Sequence, residues 1–209
     1  MSDEFENWSP FMAGRYWTFE KVMDALRANP DPVEPYGWTD FLFDSLSNKA
    51  VEDRVAMATM ILDHGADPSV ISRDGDRINC LHVLFTSGSR VHDPALEAPL
   101  LERLLDGGAS MTLRSPRFGT PFEMMTKVVA AEELLYSFYD VVFARPDIDM
   151  GVVIDPPTGK TLAQKLLSPL RRGRGRMECA RRAQDYIKKH GLQEAAGVSD
   201  EDLERTLNE

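Results

Sequence analysis

Two segments of this chain have similar sequences that are typical of a helix ending: Ile61-Leu-Asp-His-Gly-Ala-Asp-Pro-Ser-Val70 and Leu104-Leu-Asp-Gly-Gly-Ala-Ser-Met111. In both, apolar residues typical of a helix stripe are followed by Gly-Ala. Glycine is the residue that most easily adopts the left-handed conformation at a helix C-terminus. Internal repetition of this kind is typical of chains built from stacked units. This repetition favours a binding surface over an active site.

A weaker third copy lies further along the chain. Val141-Val-Phe143 leads into Arg145-Pro-Asp-Ile-Asp-Met150, where Pro146 rather than glycine is expected to stop the helix. Turn glycines at positions 37, 75, 119 and 159 stand before short apolar segments and are separated by 38, 44 and 40 residues. Neighbouring threonine or asparagine side chains can cap helices that start there. The pattern predicts pairs of helices linked by turns.

These residues resemble the ankyrin-repeat family, whose units read Gly-x-Thr-Pro-Leu-His at the first helix and Leu-Leu-x-x-Gly-Ala-Asp after the second. Gly119-Thr-Pro-Phe122 and Leu81-His82 match the first element in part, and Leu62-Asp-His-Gly-Ala-Asp67 matches the second closely. The resemblance covers residues 35–190. The units are longer here than the family period of about 33 residues, which indicates a degenerate array.

The resemblance implies an all-α fold, an α-solenoid of about four ankyrin-like helix pairs in which a projecting turn joins each pair to the next. Residues 1–34 are expected to hold an N-terminal capping helix at positions 17–26, because the end of a solenoid needs a cap. The repeat array would occupy residues 35–191. Residues 192–209 are expected to be an acidic C-terminal tail, either a short helix capped by Ser199 or disordered.

Charge is unevenly distributed along the 209 residues, which carry a formal net charge of −10. Residues 1–170 have a net charge of −11, whereas residues 171–190 contain 8 basic and 2 acidic side chains. A net-negative body argues against general nucleic-acid binding. It favours a basic protein as the partner.

The sequence also bears on location. No apolar run reaches the length of about 20 residues that a membrane helix needs, so no membrane association is expected. The acidic N-terminus lacks the residue order of a secretory signal. The two cysteines, Cys80 and Cys179, make neither a disulfide framework nor a zinc site, and this favours a reducing, cytoplasmic location.

No residue pattern indicates catalysis, a metal or a cofactor, and we therefore expect a protein that is not an enzyme. Gly159-Lys-Thr161 shares its last residues with phosphate-binding loops, but Ile154 stands where such a loop needs a glycine. Cys80 lies at a helix start and is expected to be packed rather than reactive. The histidines lack the spacing of metal ligands. The family resemblance implies that His82 bonds the backbone of the adjacent turn.

The expected function is non-catalytic protein binding through the concave helix face and the projecting turns. One concrete version is an inhibitor or immunity-type protein that covers a basic toxin or nuclease, since acidic side chains can mimic phosphate and steer association. The alternative is a nucleic-acid-associated regulator that uses the arginine-rich loop at residues 171–176. The candidate partner-binding residues all lie in or beside the turns: Tyr36, Trp38, Arg73, Asp76, Arg77, Arg114, Arg117 and Phe118.

Overall fold

The fold is mostly helical, as the predicted all-α class requires. A computed structural model describes residues 5, 7–73, 75–86, 91–169 and 175–205. A 3-10 helix at Glu132–Leu135 precedes α9, and β1 (Val153–Asp155) and β2 (Lys160–Thr161) form a small antiparallel hairpin. The α-helices are α1 (Pro10–Tyr16), α2 (Phe19–Ala28), α3 (Val33–Tyr36), α4 (Trp38–Ser45), α5 (Val51–Asp63), α6 (Cys80–Leu84), α7 (Pro94–Asp106), α8 (Pro121–Met125), α9 (Tyr136–Phe143), α10 (Leu162–Leu166), α11 (Met177–His190), α12 (Gln193–Ala196) and α13 (Asp200–Arg205).

The helices contact one another in two rows that follow the order of the chain. In one row α1 contacts α4, α4 contacts α6, and α6 contacts α8. In the other row α2 contacts α5, and α5, α7, α9 and α11 contact one another in succession. We call the members of the first row, together with α10, the first helices, and the members of the second row the second helices. The buried apolar side chains of both rows pack into one continuous core.

The two repeated helix endings have the same backbone geometry. Gly65 and Gly108 have φ angles of 86° and 94°, the left-handed conformation that the sequence predicts for them. The alanine after each glycine donates its N–H to the carbonyl five residues earlier, at 3.3 Å and 3.0 Å. Gly107 has a different role, because a Cβ there would lie 2.2 Å from Cγ of Pro68. Its missing side chain lets the end of α7 approach the preceding turn.

Three first helices begin with the same capping box. At the starts of α6, α8 and α10 the capping residues are Asn79, Thr120 and Thr161, and each side chain accepts the N–H three residues on. In each case the side chain three residues on accepts the N–H of the capping residue, so two free donors are satisfied together. These caps recur at intervals of 41 residues, a more regular period than that of the turn glycines.

The N-terminal segment contains two helices where the sequence predicts one. The predicted capping helix corresponds to α2, and of its expected inward face Val22 is fully buried while Phe19, Met23 and Leu26 are partly buried against the core. The additional helix, α1, packs against α4. Gly14 makes it a poor helix by propensity, but a Cβ at this position would lie 2.9 Å from the backbone nitrogen of Ser45. Close packing therefore overrides propensity in α1.

A buried polar cluster joins α5 to α7. The guanidinium of Arg54 donates from Nη2 to Oε1 of Glu97 at 2.7 Å, and neither side chain is exposed to solvent. Nε of Arg54 donates to the same Glu97 oxygen at 2.9 Å, while Nη1 and Nη2 also reach the carbonyls of Asn48 and Val91. His92 lies 3.0 Å from the second carboxylate oxygen of Glu97, so its Nδ1 carries the hydrogen. A charge buried in this way is tolerated only because its hydrogen bonds are made.

The described part of the C-terminal segment packs onto α10 and α11. The side chain of Ser199 accepts the N–H of Asp202 at 3.0 Å, which is the cap that the sequence predicts for a short helix. Leu203 is fully buried, and its carbonyl accepts a hydrogen bond from the side chain of Gln184. Residues 192–205 therefore extend the core, and residues 206–209 lie outside the described part of the chain.

The helices within the described residues are short. α11 has 14 residues, and α5 and α7 have 13 each. Among the described residues, no helix combines the length and apolar character needed to cross a membrane.

Candidate interaction surface

The turns that precede α6, α8 and α10 touch one another in sequence. Ser72 and Ile78 close the first of these turns, with a backbone hydrogen bond of 2.7 Å. The hydroxyl of Ser115, in the next turn, donates to the carbonyl of Asp76 at 2.6 Å. Nε of Arg114 then donates to the carbonyl of Ile154 in the β1–β2 hairpin at 3.4 Å. We call the exposed side chains of residues 70–73, 75–77, 114–118 and 153–160 the turn surface.

The buried ring of His82 connects the turn before α6 with the turn before α8. Its Nδ1 accepts the backbone N–H of Asn79 at 3.1 Å, and its Nε2 donates to the carbonyl of Gly119 at 3.1 Å. The ring is buried, and burial lowers the pKa of His82 below its usual 6.5, although the bond to the Gly119 carbonyl offsets part of this shift. The histidine thus bonds the adjacent turn, as the sequence analysis expects, and is needed in its neutral form.

We expect His82 to make the protein less stable as the pH falls below 6.5. The unfolded chain binds a proton at this histidine near that pH, whereas the folded chain does so only at lower pH. Stability is therefore complete above the unfolded pKa and is lost on acidification, by at most about 1.4 kcal/mol per pH unit. Urea unfolding of the wild type and of His82→Gln at about pH 7.5, 6.5 and 5.5 measures this. The stability difference between the two proteins should shrink as the pH falls, and a constant difference would contradict the assignment.

Six of the eight candidate partner-binding residues lie in the connected turns. Arg117 makes an ion pair with Asp76 at 3.3 Å and places its guanidinium 4.9 Å from the ring centre of Phe118, yet 69% of its side chain remains exposed. Arg73 and Arg77 are exposed, and within the described residues neither has an acidic partner. Arg114 is half-buried against the hairpin. Residues from two separate turns thus come together at one surface.

Arg77 occupies a backbone conformation that favours glycine. Its φ angle is 47°, and it stands two residues before the capping residue Asn79. In the hairpin turn, Gly159 stands two residues before the capping residue Thr161, with a φ angle of 68°. A non-glycine residue in the left-handed region costs about 1 kcal/mol. The chain therefore holds an exposed arginine at a position where glycine would be more stable.

Tyr36 and Trp38 do not have the exposed position that their turn suggests. The hydroxyl of Tyr36 donates to the carboxylate of Asp44, which also pairs with Arg15 at 2.6 Å. Burial, followed by the bond to Asp44, raises the pKa of Tyr36, so the hydroxyl stays protonated. The ring of Trp38 stacks on His64 with 4.3 Å between ring centres. Both aromatic side chains are half-buried and have partners within the fold, which the sequence spacing could not reveal.

The sequence pattern does not predict the apolar side chains that are exposed at the turn surface. Val70 is the last residue of the segment that contains the first repeated helix ending, Ile71 follows it, and Val153 begins the hairpin; each is about 40% exposed. Their signal in the sequence is weak, because single apolar residues in a turn are common on protein surfaces. Beside the arginines they make the turn surface both basic and partly apolar.

The arginine-rich loop at residues 171–176 is described only at its end. Arg171, Arg172 and Arg174 lie outside the described residues. Nε of Arg176 donates to the carbonyl of Thr126 at 3.1 Å, and its two terminal nitrogens donate to the carbonyls of Ala130 and Val128. This guanidinium is therefore committed to the loop after α8. It is not free to bind nucleic acid.

The residues that first suggest chemistry are used by the fold. Cys80 and Cys179 are both buried, and burial raises the pKa of each thiol to about 12, so neither is a thiolate near neutral pH. Thr161, in Gly159-Lys-Thr161, caps α10 and donates its hydroxyl to the carbonyl of Ala196 at 2.6 Å. Among the described residues, no cluster of His, Cys, Asp or Glu side chains has the arrangement of a metal site.

Comparison with known proteins provides the fold alone. No family model and no curated protein sequence matches the chain. Among solved structures, the chain is similar to a functionally unknown protein from Leptotrichia buccalis C-1013-b, with a TM-score of 0.68 and 19% sequence identity. The similarity covers 88% of this chain and 95% of the other. The helical arrangement described above is thus shared with a solved structure whose function is unknown.

Proposed function

We propose that the chain is an ankyrin-like α-solenoid that binds a partner protein without catalysis. The observation that carries this proposal is the connection of successive turns by direct hydrogen bonds, from Ser115 to Asp76 and from Arg114 to Ile154. Stacked helix pairs whose turns meet on one side generate an extended surface, and such surfaces are used for binding proteins. The regular capping boxes and the two rows of helices support the same interpretation.

The non-catalytic part of the proposal is supported by the state of the reactive side chains. Cys80 and Cys179 are buried and protonated, and both ring nitrogens of His82 form hydrogen bonds with backbone groups. A nucleophile must be accessible and activated by a base, and these residues meet neither condition. Binding through exposed turns requires no such chemistry.

An inhibitor or immunity-type role remains one version of this function. The net charge of −10 favours a basic partner for the surface as a whole. The turn surface is different, because its arginines outnumber the aspartates in the same turns. The alternative function, nucleic-acid regulation through residues 171–176, is weakened by the contacts of Arg176 with backbone carbonyls.

Site-specific photo-crosslinking tests the binding function. A crosslinking residue would replace Arg77 or Arg117 in the turns, or the exposed Lys165 on the first helix α10. Matched controls replace Glu102 and Asp185, exposed on the second helices α7 and α11. After irradiation in a lysate of the organism that encodes the chain, we expect the same protein adduct from the turn and α10 positions and much less from the controls. Equal labelling at all positions, or no adduct at the turns and α10, would contradict the proposal.

A further inference from the structure

The charge of the turn surface is opposite to that of the whole molecule. Residues 70–77, 114–118 and 153–160 contain four arginines, one lysine and three aspartates, a local net charge of +2, whereas the chain carries −10. Asp76 already pairs with Arg117, and Arg73 and Arg77 have no acidic partner among the described residues. Arg73 and Arg77 are therefore available to pair with a ligand, whereas Arg114 already donates to the carbonyl of Ile154.

The apolar side chains of the turn surface define a second chemical requirement. Val70, Ile71 and Val153 are each about 40% exposed, and the ring of Phe118 supports the guanidinium of Arg117. An arginine resting on an aromatic face is held in place and loses less conformational freedom when it pairs with a carboxylate. The surface therefore suits a ligand that combines carboxylates with apolar groups.

The backbone of Arg77 supports a role for its charge. Arginine stands here in the left-handed conformation, where glycine would relieve the strain. The side chain is exposed and, within the described residues, forms no ion pair that would compensate for this cost. A contact outside the chain would account for an arginine at this position.

We propose that the turn surface binds an acidic segment of a partner protein in which apolar side chains alternate with carboxylates. This inference rests on the proposed function and names the chemistry of its partner. A short acidic segment is attracted by the arginines and repelled by the rest of the chain, which confines it to the turns. A nucleic acid is a longer polyanion that would extend over the acidic body, so a protein segment is favoured.

Fluorescence anisotropy with a labelled peptide tests the proposal on the full chain. The probe is a short peptide of Glu and Asp alternating with Leu and Phe, and its control has Gln and Asn in place of the acids. We expect the acidic peptide to bind at least about tenfold more tightly than the neutral one, and more weakly as salt is raised. The double variant Arg73→Glu with Arg77→Glu should weaken binding by about tenfold or more. Equal affinity for the two peptides would overturn the proposal.

A matched pair of variants separates the turn surface from general charge. Arg117 and Arg27 have the same side-chain exposure, 69%, and each pairs with an aspartate, at 3.3 Å and 3.0 Å. Arg117→Glu should weaken binding of the acidic peptide, whereas Arg27→Glu should leave it within about twofold. Equal effects of the two substitutions would overturn the assignment to the turns.

Arg77→Gly separates a loss of peptide binding from a loss of folding. Because glycine relieves the left-handed strain, the melting temperature should rise or stay the same, while affinity for the acidic peptide should fall. Unchanged affinity in this variant would contradict the role of the Arg77 charge.

Two further outcomes separate the possible failures. If a single-stranded oligonucleotide binds more tightly than the acidic peptide and loses affinity in the same variants, the surface is a nucleic-acid site and the proposal is wrong. If neither probe binds but photo-crosslinks still form at Arg77 and Arg117, the chain binds a protein of different chemistry. In that case the acidic partner is excluded and the proposed function stands.

Discussion

Glu97→Ala is expected to lower the free energy of unfolding by about 3–5 kcal/mol. The substitution leaves the guanidinium of Arg54 buried between α5 and α7 without its carboxylate, and neither side chain of the pair is exposed to solvent. It also removes the acceptor for Nδ1 of His92 and for the backbone N–H of Asp93. Urea denaturation followed by circular dichroism measures the loss.

An exposed ion pair between the same two helices provides the control. Arg103 on α7 pairs with Asp63 on α5 at 2.7 Å, and their side chains are 42% and 62% exposed. Arg103→Ala should cost less than about 1 kcal/mol, because water solvates both charges when the pair is broken. Replacing Arg54 with methionine and Glu97 with leucine together should recover part of the loss, since no charge is then left buried. Equal costs for Glu97→Ala and Arg103→Ala would contradict this account.

Arg176→Ala is expected to destabilise the protein by about 2–3 kcal/mol. Three carbonyls of the loop after α8, those of Thr126, Val128 and Ala130, lose a charged donor at once. Arg176→Lys should restore little of the loss, because an ammonium group cannot reproduce the planar fork that reaches three separate acceptors. Denaturant unfolding of both variants checks this expectation.

Arg181→Ala is the matched control for Arg176→Ala. Arg181 lies on α11, the helix that Arg176 directly precedes. It is 57% exposed, and its contact with Glu178 is long, at 3.8 Å. We expect its replacement to change stability by no more than about 0.5 kcal/mol. If Arg176→Ala were equally neutral, the arginine would be free in solution, and the nucleic-acid alternative for residues 171–176 would regain support.

Helix termini were the most predictable part of the fold. The left-handed glycines at positions 65 and 108 and the cap at Ser199 depend on hydrogen bonds between residues a few positions apart. Such bonds are visible in sequence because both partners lie in one short segment. The helix α1 was not predictable in this way, because its Gly14 is explained only by close contact with α4.

The interaction surface was predictable only in part. The positions of Arg77 and Arg117 in turns follow from the repeat pattern. Their proximity does not, because Arg117 meets Asp76 across 41 residues of sequence. The turn beside Tyr36 predicts the same surface for this side chain, but its hydroxyl donates to Asp44 instead. The repeat pattern predicts which backbone segments form turns. It does not predict which of their side chains bond to other residues of the fold.

The sequence by itself determined that the chain forms mostly helices with turns between them, since apolar spacing, caps and glycines act over a few residues. Tertiary structure decided which charged side chains have partners within the fold and which remain exposed to bind a ligand. Arg54 and Glu97, 43 residues apart, neutralise each other in the core, and Arg176 is taken up by backbone carbonyls. Arg73 and Arg77 remain exposed on the turns. Packing brings together residues that are far apart in the sequence, so only the assembled fold sets the electrostatic character of its surface.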